Sequence, residues 1–180
     1  MNIVNLTADR VDETAALLHK AFKDRTTTWP DLPSARLTVL ESLDDRKISR
    51  VALDESGKVI GWIGAVSMYD GHVWEIHPIV VAKAHRRAGV GSALIRDLEN
   101  LVRENGALTL WAGSDDENHE TSLSSVDLYA DLPAAIRNIQ NLKDHPYEFF
   151  LKAGFRIVGV MPDANGPGKP DIFLAKRVER

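Results

Sequence analysis

Residues 80–94 constrain the fold of this chain more than any other part of the sequence. They run from the apolar end of a strand, through a basic turn that contains Gly89 and Gly91, into a segment with helical periodicity. Glycines at such a junction let backbone N–H groups approach an anion closely, and a helix N-terminus carries about half a positive charge. The pattern predicts a strand, a phosphate-binding turn and a helix, with Arg86 and Arg87 as cationic side chains of the turn.

Two other nucleotide-binding turns fit this segment less well. The glycines are not followed by the Lys-Ser or Lys-Thr pair of a Walker loop, and the three-glycine spacing of a Rossmann turn is absent. The remaining alternative is an ordinary strand-to-helix turn with solvated arginines. The pattern by itself leaves that alternative and the phosphate-binding turn equally open.

Hydrophobic periodicity along the rest of the chain predicts a mixed α+β fold of about seven strands and four or five helices. The predicted strands are residues 3–6, 48–53, 59–69, 73–82, 108–112, 155–161 and 171–176, the second to fourth of them antiparallel neighbours. The predicted helices are one that is capped by Asp9 and runs to Phe22, and residues 37–43, 91–105, 132–142 and 146–153.

Composition narrows the class of protein. The chain has 180 residues without a repeat or a long linker, so we expect a single domain over residues 1–180. It has no cysteine, which excludes disulfides, a thiolate nucleophile and cysteine-ligated metals. The six histidines show no His-x-x-x-His spacing, so we expect no metal.

Charge and hydropathy bear on partners and location. No apolar run reaches the roughly 18 residues of a spanning helix, and no secretory signal precedes the first strand. The net charge of -4 is unlike the strong basic excess of nucleic-acid-binding proteins. We therefore expect a cytoplasmic protein without a membrane or nucleic-acid partner.

The basic turn, read as Arg86-x-x-Gly89-x-Gly91 after an apolar strand, resembles the pyrophosphate loop of the GNAT acetyltransferase superfamily. Pro78 in that strand cannot donate to a ladder and predicts a bulge or an unpaired stretch. The resemblance implies a GNAT fold, with a mixed sheet splayed between its fourth and fifth strands and flanked by helices. It also implies acetyl-CoA as co-substrate, bound by Ile79, Val80, Val81, Arg86, Arg87, Ala88, Gly89, Val90, Gly91 and Ser92, with Lys152 nearby unless that lysine is simply solvated.

Further motifs narrow the resemblance. Trp-Glu-Ile-His-Pro-Ile-Val-Val at residues 74–81 and Asn-Leu-Lys-Asp-His-Pro-Tyr-Glu-Phe at residues 141–149 are similar to the chromosomal-type aminoglycoside 6′-N-acetyltransferases. The likeness extends over residues 57–176, whereas the first 50 residues match weakly. It implies direct acetyl transfer to the 6′-amine of an aminoglycoside in a ternary complex, antibiotic resistance and a homodimer. Further segments that carry the likeness are residues 113–116, 124–129, 159–166 and 169–172.

The residues of the fourth strand suggest the acid–base chemistry. Strand alternation places Glu75 and His77 on one face, where Glu75 can accept the proton of an amine and His77 can orient or relay it. By resemblance, the backbone N–H of Ile79 polarises the thioester carbonyl. The alternatives are a solvated carboxylate for Glu75 and a half-buried structural imidazole for His77.

The proton donor to the leaving thiolate departs from the family pattern. GNAT enzymes often place a tyrosine four residues before the glycine of the late helix-to-strand turn, and here Phe150 stands there, ahead of Gly154. A phenyl ring cannot donate a proton. Tyr147, one helical turn earlier, can substitute, as can water; the alternative for Tyr147 is a packing aromatic.

The acceptor is suggested by charge. Between Arg103 and Arg137 the chain has no lysine or arginine but seven carboxylates, Asp115 among them, which would attract a polycationic amine. The alternative is a solvated acidic loop. Trp29 and Tyr69 can stack on a sugar ring beside Glu75, although core packing is the more ordinary role for each. Two rival functions stay open: a GNAT acetyltransferase for a polyamine or other small amine, and a non-catalytic acyl-CoA-binding module.

Overall fold

The computed structural model describes residues 1–23 and 28–178. The chain forms two compact units, one of Met1–Leu110 together with Val178, and one of Trp111–Arg177. Strand β5 begins in the first unit and continues in the second. Each unit is described by itself.

The first unit is built on consecutive antiparallel strands. Strands β1 to β4 pair in chain order, and the start of β5 follows β4 in the sheet. Val51, Trp62 and Val80 stand opposite one another across β2, β3 and β4. The elements are β1 (Asn2–Asn5), α1 (Val11–Phe22), α2 (Leu32–Glu41), β2 (Lys47–Leu53), β3 (Val59–Met68), β4 (Val73–Val81), α3 (Val90–Glu104) and β5 (Thr109–Asp115).

Helices cover both faces of this sheet. A Cβ on Gly61 of β3 would lie 3.0 Å from side-chain atoms of Val90 and Leu94, so α3 packs closely over that face. Trp62, the next residue of β3, points to the opposite face and is fully buried with Leu18 of α1. The helical periodicity predicted for this segment is confirmed, since Leu94, Leu98 and Val102 of α3 have no exposed surface.

The second unit contains the remainder of β5, next to β7, which pairs antiparallel with β6. Phe150 and Phe155 meet edge to face at 5.3 Å in its core, where Ile172 and Leu174 are fully buried. Together with the strands of the first unit, these strands make seven within the described residues, the number that the sequence predicts. The remaining elements are α4 (Leu132–Arg137), α5 (Tyr147–Lys152), β6 (Arg156–Met161) and β7 (Asp171–Arg177).

Helix starts and ends differ from the prediction in three places. Asp9 does not cap α1, because a short 3-10 turn over Ala8–Arg10 precedes the helix, which starts at Val11 without a side-chain cap. Helix α2 begins earlier than expected, at Leu32, because the carboxylate of Asp31 accepts a hydrogen bond from the Ser34 N–H at 2.8 Å. The helix predicted over residues 132–142 ends at Arg137.

One buried hydroxyl gives a stability prediction. Thr14 of α1 has no exposed surface, and its Oγ1 has no hydrogen-bond partner among the described residues. Thr14→Val replaces this hydroxyl by a methyl group of similar shape, so we expect the free energy of unfolding to rise by about 1 kcal/mol. Urea denaturation measures the change. Thr14→Ser, which keeps the hydroxyl and loses the methyl, should be less stable than the wild type; a Thr14→Val protein as unstable as this control would contradict the prediction.

Candidate functional site

A bulge in β4 sits at the centre of the candidate site. Two residues of β4, His77 and Pro78, stand opposite the single residue Gly64 of β3. The irregularity expected from the missing N–H of Pro78 is therefore confirmed. A Cβ on Gly64 would lie 2.7 Å from the carbonyl oxygen of His77, closer than real contacts allow, so this position requires glycine.

Alternation along β4 separates core side chains from candidate catalytic ones. Trp74 and Ile76 are buried on one face, while Glu75 is half-buried and His77 is exposed on the other. Burial raises the pKa of the Glu75 carboxyl, and the charge of His77 opposes this shift without cancelling it. A carboxylate with a raised pKa is a better proton acceptor near neutral pH.

Trp29 reaches this face from the segment that precedes α2. Its ring centroid lies 6.1 Å from that of His77 and 5.0 Å from that of Phe22. Its Nε1–H donates to Thr38 Oγ1 at 2.9 Å, and the residue is only 6% exposed. Trp29 thus serves in core packing, the more ordinary of its two predicted roles, and its ring lies beside that of His77. A sugar-stacking role for Trp29 stays a prediction.

The glycine turn leads directly into the N-terminus of α3. No side chain caps this helix, and Gly89 holds its cap position with a left-handed φ of 83°. Residues 86–89 are exposed, while the side chain of Val90 is buried. The turn therefore presents backbone N–H groups and the positive end of a 15-residue helix to solvent, an arrangement that can hold an anion.

The cationic and apolar neighbours of the turn are placed as follows. Arg86 folds back so that its Nε donates to the carbonyl oxygen of Val81 at 3.2 Å. Ile79 and Val81 are partly exposed, but Val80 is buried in the core of the first unit, so only its backbone is available to a ligand. The candidate binding residues at the end of β4 and those of the glycine turn therefore lie together in the first unit.

Tyr69 directly follows the last residue of β3 and is 74% exposed. It lines a cavity of about 650 Å³ in the first unit. The cavity is also lined by three carboxylates and two cations, those of Asp44, Asp45, Asp70, Arg46 and Lys47. Tyr69 thus offers an exposed ring beside groups of both charges, unlike the buried Trp29.

In the second unit, the candidate proton donor Tyr147 begins α5 and is 4% exposed. Burial raises the pKa of its phenol, and the neighbouring carboxylate of Glu148 raises it further. Phe150, one turn later, is also buried and packs on Phe149 and Phe155. The family's usual tyrosine position is therefore a core position in this chain. Lys152, by contrast, points to solvent, with Nζ 3.6 Å from a carboxylate oxygen of Glu148.

Asp115 ends β5 and is exposed, with its Oδ1 accepting a hydrogen bond from Asn165 Nδ2 at 2.6 Å. Its carbonyl oxygen accepts from Nε2 of the buried His145 at 3.0 Å. No catalytic or binding role was predicted for Asn165 or His145, because they lie 50 and 30 residues away from Asp115 in the chain.

Asp116 differs from the rest of the acidic stretch. It has no exposed surface, and its carboxylate accepts hydrogen bonds from the N–H groups of Glu120 and Thr121 and the hydroxyls of Thr121 and Ser124. Burial raises the pKa of Asp116, but these hydrogen bonds outweigh it and hold the pKa below its ordinary value. Asp116 therefore organises the loop and is unavailable as a surface charge for a polycation.

Two kinds of feature are absent from the described residues. Within residues 1–23 and 28–178, no group of three or more histidine, aspartate or glutamate side chains is arranged to hold a metal ion. Over the same ranges no helix has the length and apolar character that crossing a bilayer requires.

Comparisons with known proteins place these features in context. Residues 14–132 match the model of the acetyltransferase (GNAT) family. The structure of an aminoglycoside 6′-N-acetyltransferase complexed with coenzyme A is 36% identical, with a TM-score of 0.92, over 100% of this chain and 98% of that one. The enzyme of the same description from Enterococcus faecium is also 36% identical, with a TM-score of 0.90 and the same coverage.

A third structure, of an aminoglycoside 6′-acetyltransferase type Ii, is 31% identical with a TM-score of 0.77, over 100% of this chain and 99% of that one. No curated protein sequence gives a significant match. The similarity to the three solved structures extends over the first 50 residues as well, where the sequence motifs are weak.

Proposed function

Because the chain belongs to the acetyltransferase (GNAT) family, we propose that it transfers the acetyl group of acetyl-CoA to the 6′-amine of an aminoglycoside, directly, within a ternary complex. The observation that carries this proposal is likeness over the whole chain to three aminoglycoside 6′-acetyltransferases at 31–36% identity. The face of β4 with Glu75 and His77 supports it, because an amine acceptor needs a base.

In this proposal the strand end and the turn bind the co-substrate. The backbones of Ile79, Val80 and Val81 lie along the pantetheine arm, and the N–H of Ile79 polarises the thioester carbonyl. The diphosphate is bound by the N-terminus of α3 together with Arg86 and Arg87. Residues 88–92 contribute N–H groups, and Lys152 is assigned at most a weak, solvated contact.

The acceptor must lose protons for the reaction to proceed. The 6′-ammonium gives one proton to Glu75, directly or through water, with His77 orienting or relaying it. The neutral amine nitrogen then forms a bond to the thioester carbon as the carbon–sulfur bond breaks. A second proton leaves the nitrogen, so that an amide, a thiolate and released protons result.

Tyr147 is proposed to assist the leaving thiolate. Since burial raises its pKa, the phenol keeps its proton at neutral pH and can donate a hydrogen bond to sulfur. A thiolate is a tolerable leaving group near neutral pH, so water can complete the protonation. Tyr147 thus contributes less to the rate than the base does.

Exposed carboxylates would select a polycationic acceptor. Asp115 is assigned to an ammonium group, Tyr69 to stacking on a sugar, and Trp29 to holding His77 and the edge of the acceptor. With these roles we also propose a homodimer in the cytoplasm that confers antibiotic resistance, with no nucleic-acid partner.

The function is tested by following free thiol release from acetyl-CoA. We expect release with kanamycin, which has a 6′-amine, and none with its 6′-hydroxy counterparts. Spermidine, assayed in parallel, is expected to give little release. Release with spermidine alone would instead support the polyamine acetyltransferase, and tight acetyl-CoA binding in calorimetry without turnover of any amine would support the non-catalytic module.

A further inference from the structure

We propose that His145 is a positioning residue that sets the geometry of both Tyr147 and Asp115; this inference rests on the function proposed above. All three residues belong to the second unit. His145 touches no reacting group in the proposal and acts through its two neighbours.

The hydrogen bonds of the His145 ring define its tautomer. The N–H of Tyr147 donates to Nδ1 at 3.3 Å, and a backbone N–H can only donate. Nδ1 is therefore the unprotonated nitrogen, and Nε2 carries the hydrogen that is donated to the carbonyl oxygen of Asp115 at 3.0 Å. The neutral imidazole thus links the start of α5 to the end of β5.

His145 is itself held firmly. Its N–H donates to Oδ1 of Asn141 at 2.7 Å, and its carbonyl oxygen accepts from Nδ2 of the same side chain at 3.0 Å. The ring is 2% exposed and lies 5.7 Å from that of Tyr147, centroid to centroid, at 36°. A rigid, buried bridge of this kind transmits the position of one end to the other.

The bridge joins two parts of the proposed reaction. Asp115 is assigned to an ammonium group of the acceptor, and its carboxylate accepts a hydrogen bond from Asn165. Tyr147 is assigned to the leaving sulfur. One side chain therefore sets the backbone positions of a specificity residue and of a proton donor, which predicts separable effects on KM and kcat.

Two substitutions of His145 each remove one of the two hydrogen bonds that its ring makes and keep the other. The amide oxygen of His145→Asn can replace Nδ1 as acceptor for the Tyr147 N–H, but the side chain is too short to reach Asp115. The amide nitrogen of His145→Gln can replace Nε2 as donor to Asp115 and loses the acceptor for Tyr147. We expect His145→Asn to raise KM for the 6′-amino aminoglycoside about tenfold with kcat nearly unchanged, and His145→Gln to lower kcat several-fold with KM nearly unchanged.

Lys143→Ala, an exposed change in the same segment, is the matched control and should alter neither constant. In a Tyr147→Phe background, His145→Gln should cause no further loss of kcat, because the phenol that it positions is gone. If both His145 variants change kcat and KM together in proportion to lost stability, the residue is merely structural and the proposal is overturned.

Amide hydrogen exchange separates this proposal from the proposed function. The Tyr147 N–H should exchange faster in His145→Gln than in His145→Asn, whatever the substrate. Wild-type protein that releases no thiol with any aminoglycoside would refute the acceptor assignment, while the exchange result would still decide whether His145 holds Tyr147. Equal exchange in the two variants would overturn the bridge.

Discussion

Glu75→Gln is expected to lower kcat about 100-fold, while the affinity for acetyl-CoA changes little. The amide keeps the size and hydrogen-bonding reach of the carboxyl but cannot accept the proton of the 6′-ammonium. Steady-state thiol release measures kcat, and calorimetry measures acetyl-CoA binding. Unchanged turnover would refute the assignment of Glu75 as the base.

The pH dependence of this variant adds a second test. Because burial raises the pKa of Glu75, the apparent pKa of the acidic limb of the wild-type kcat/KM profile should lie above the ordinary glutamate value of about 4.3. This limb should be absent from the profile of Glu75→Gln. The raised pKa also means that ionised Glu75 is disfavoured in the folded state, so its stabilising contribution is present at low pH and lost as pH rises through that pKa. At pH 8 the variant should therefore be at least as stable as the wild type. Glu55→Gln, the same change at an exposed hairpin turn, should affect neither activity nor stability.

Asp116→Ala is expected to lower the free energy of unfolding by about 3 kcal/mol or more, since it leaves four buried or partly buried donors without their acceptor. Asp116→Asn keeps the volume but turns an NH2 group towards these donors, and should also destabilise. Urea denaturation measures both effects. Asp127→Asn is the matched control, because the carboxylate of Asp127 accepts one exposed hydrogen bond, from the Tyr129 N–H at 3.0 Å.

Lowering the pH should reduce the difference in the free energy of unfolding between the wild type and Asp116→Asn. The pKa of Asp116 is held below its ordinary value, so the stability that its ionised form contributes is fully present above about pH 3.9 and is lost as pH falls through the folded-state pKa. Stability measured from pH 6 down to pH 3 should show the two proteins converging. A constant difference over that range would mean that the carboxylate charge does not organise the loop.

Local signals in the sequence were enough for much of the fold. Periodicity located α3, the missing N–H of Pro78 located the β4 bulge, and strand alternation put Glu75 and His77 on one face. Each of these features depends on residues within a few positions of one another. The early start of α2 also had a local signal, the capping Asp31, which the apolar spacing at residues 37–43 obscured.

Features that depend on pairing between distant segments could not be predicted. The need for glycine at position 64 arises only when β3 and β4 pair in their bulged register. The bridge through His145 joins residues 30 positions apart, so residue type alone could not show it. The carboxylate of Asp116 bonds to residues only four to eight positions away, but charge and residue type alone suggested a surface carboxylate. Likewise, nothing in the sequence indicates that the buried hydroxyl of Thr14 lacks a hydrogen-bond partner among the described residues.

The bond from the Val178 N–H to the Leu108 carbonyl oxygen, at 2.9 Å, has a consequence for synthesis. Val178 is 3% exposed and belongs to the first unit, although the whole of the second unit separates it from Leu108 in the chain. A ribosome therefore releases β1 to β4 and the three helices of the first unit long before the residue that completes it. Until Val178 emerges, the carbonyl oxygen of Leu108 lacks this donor, so the first unit can be completed only after the whole second unit has been synthesised.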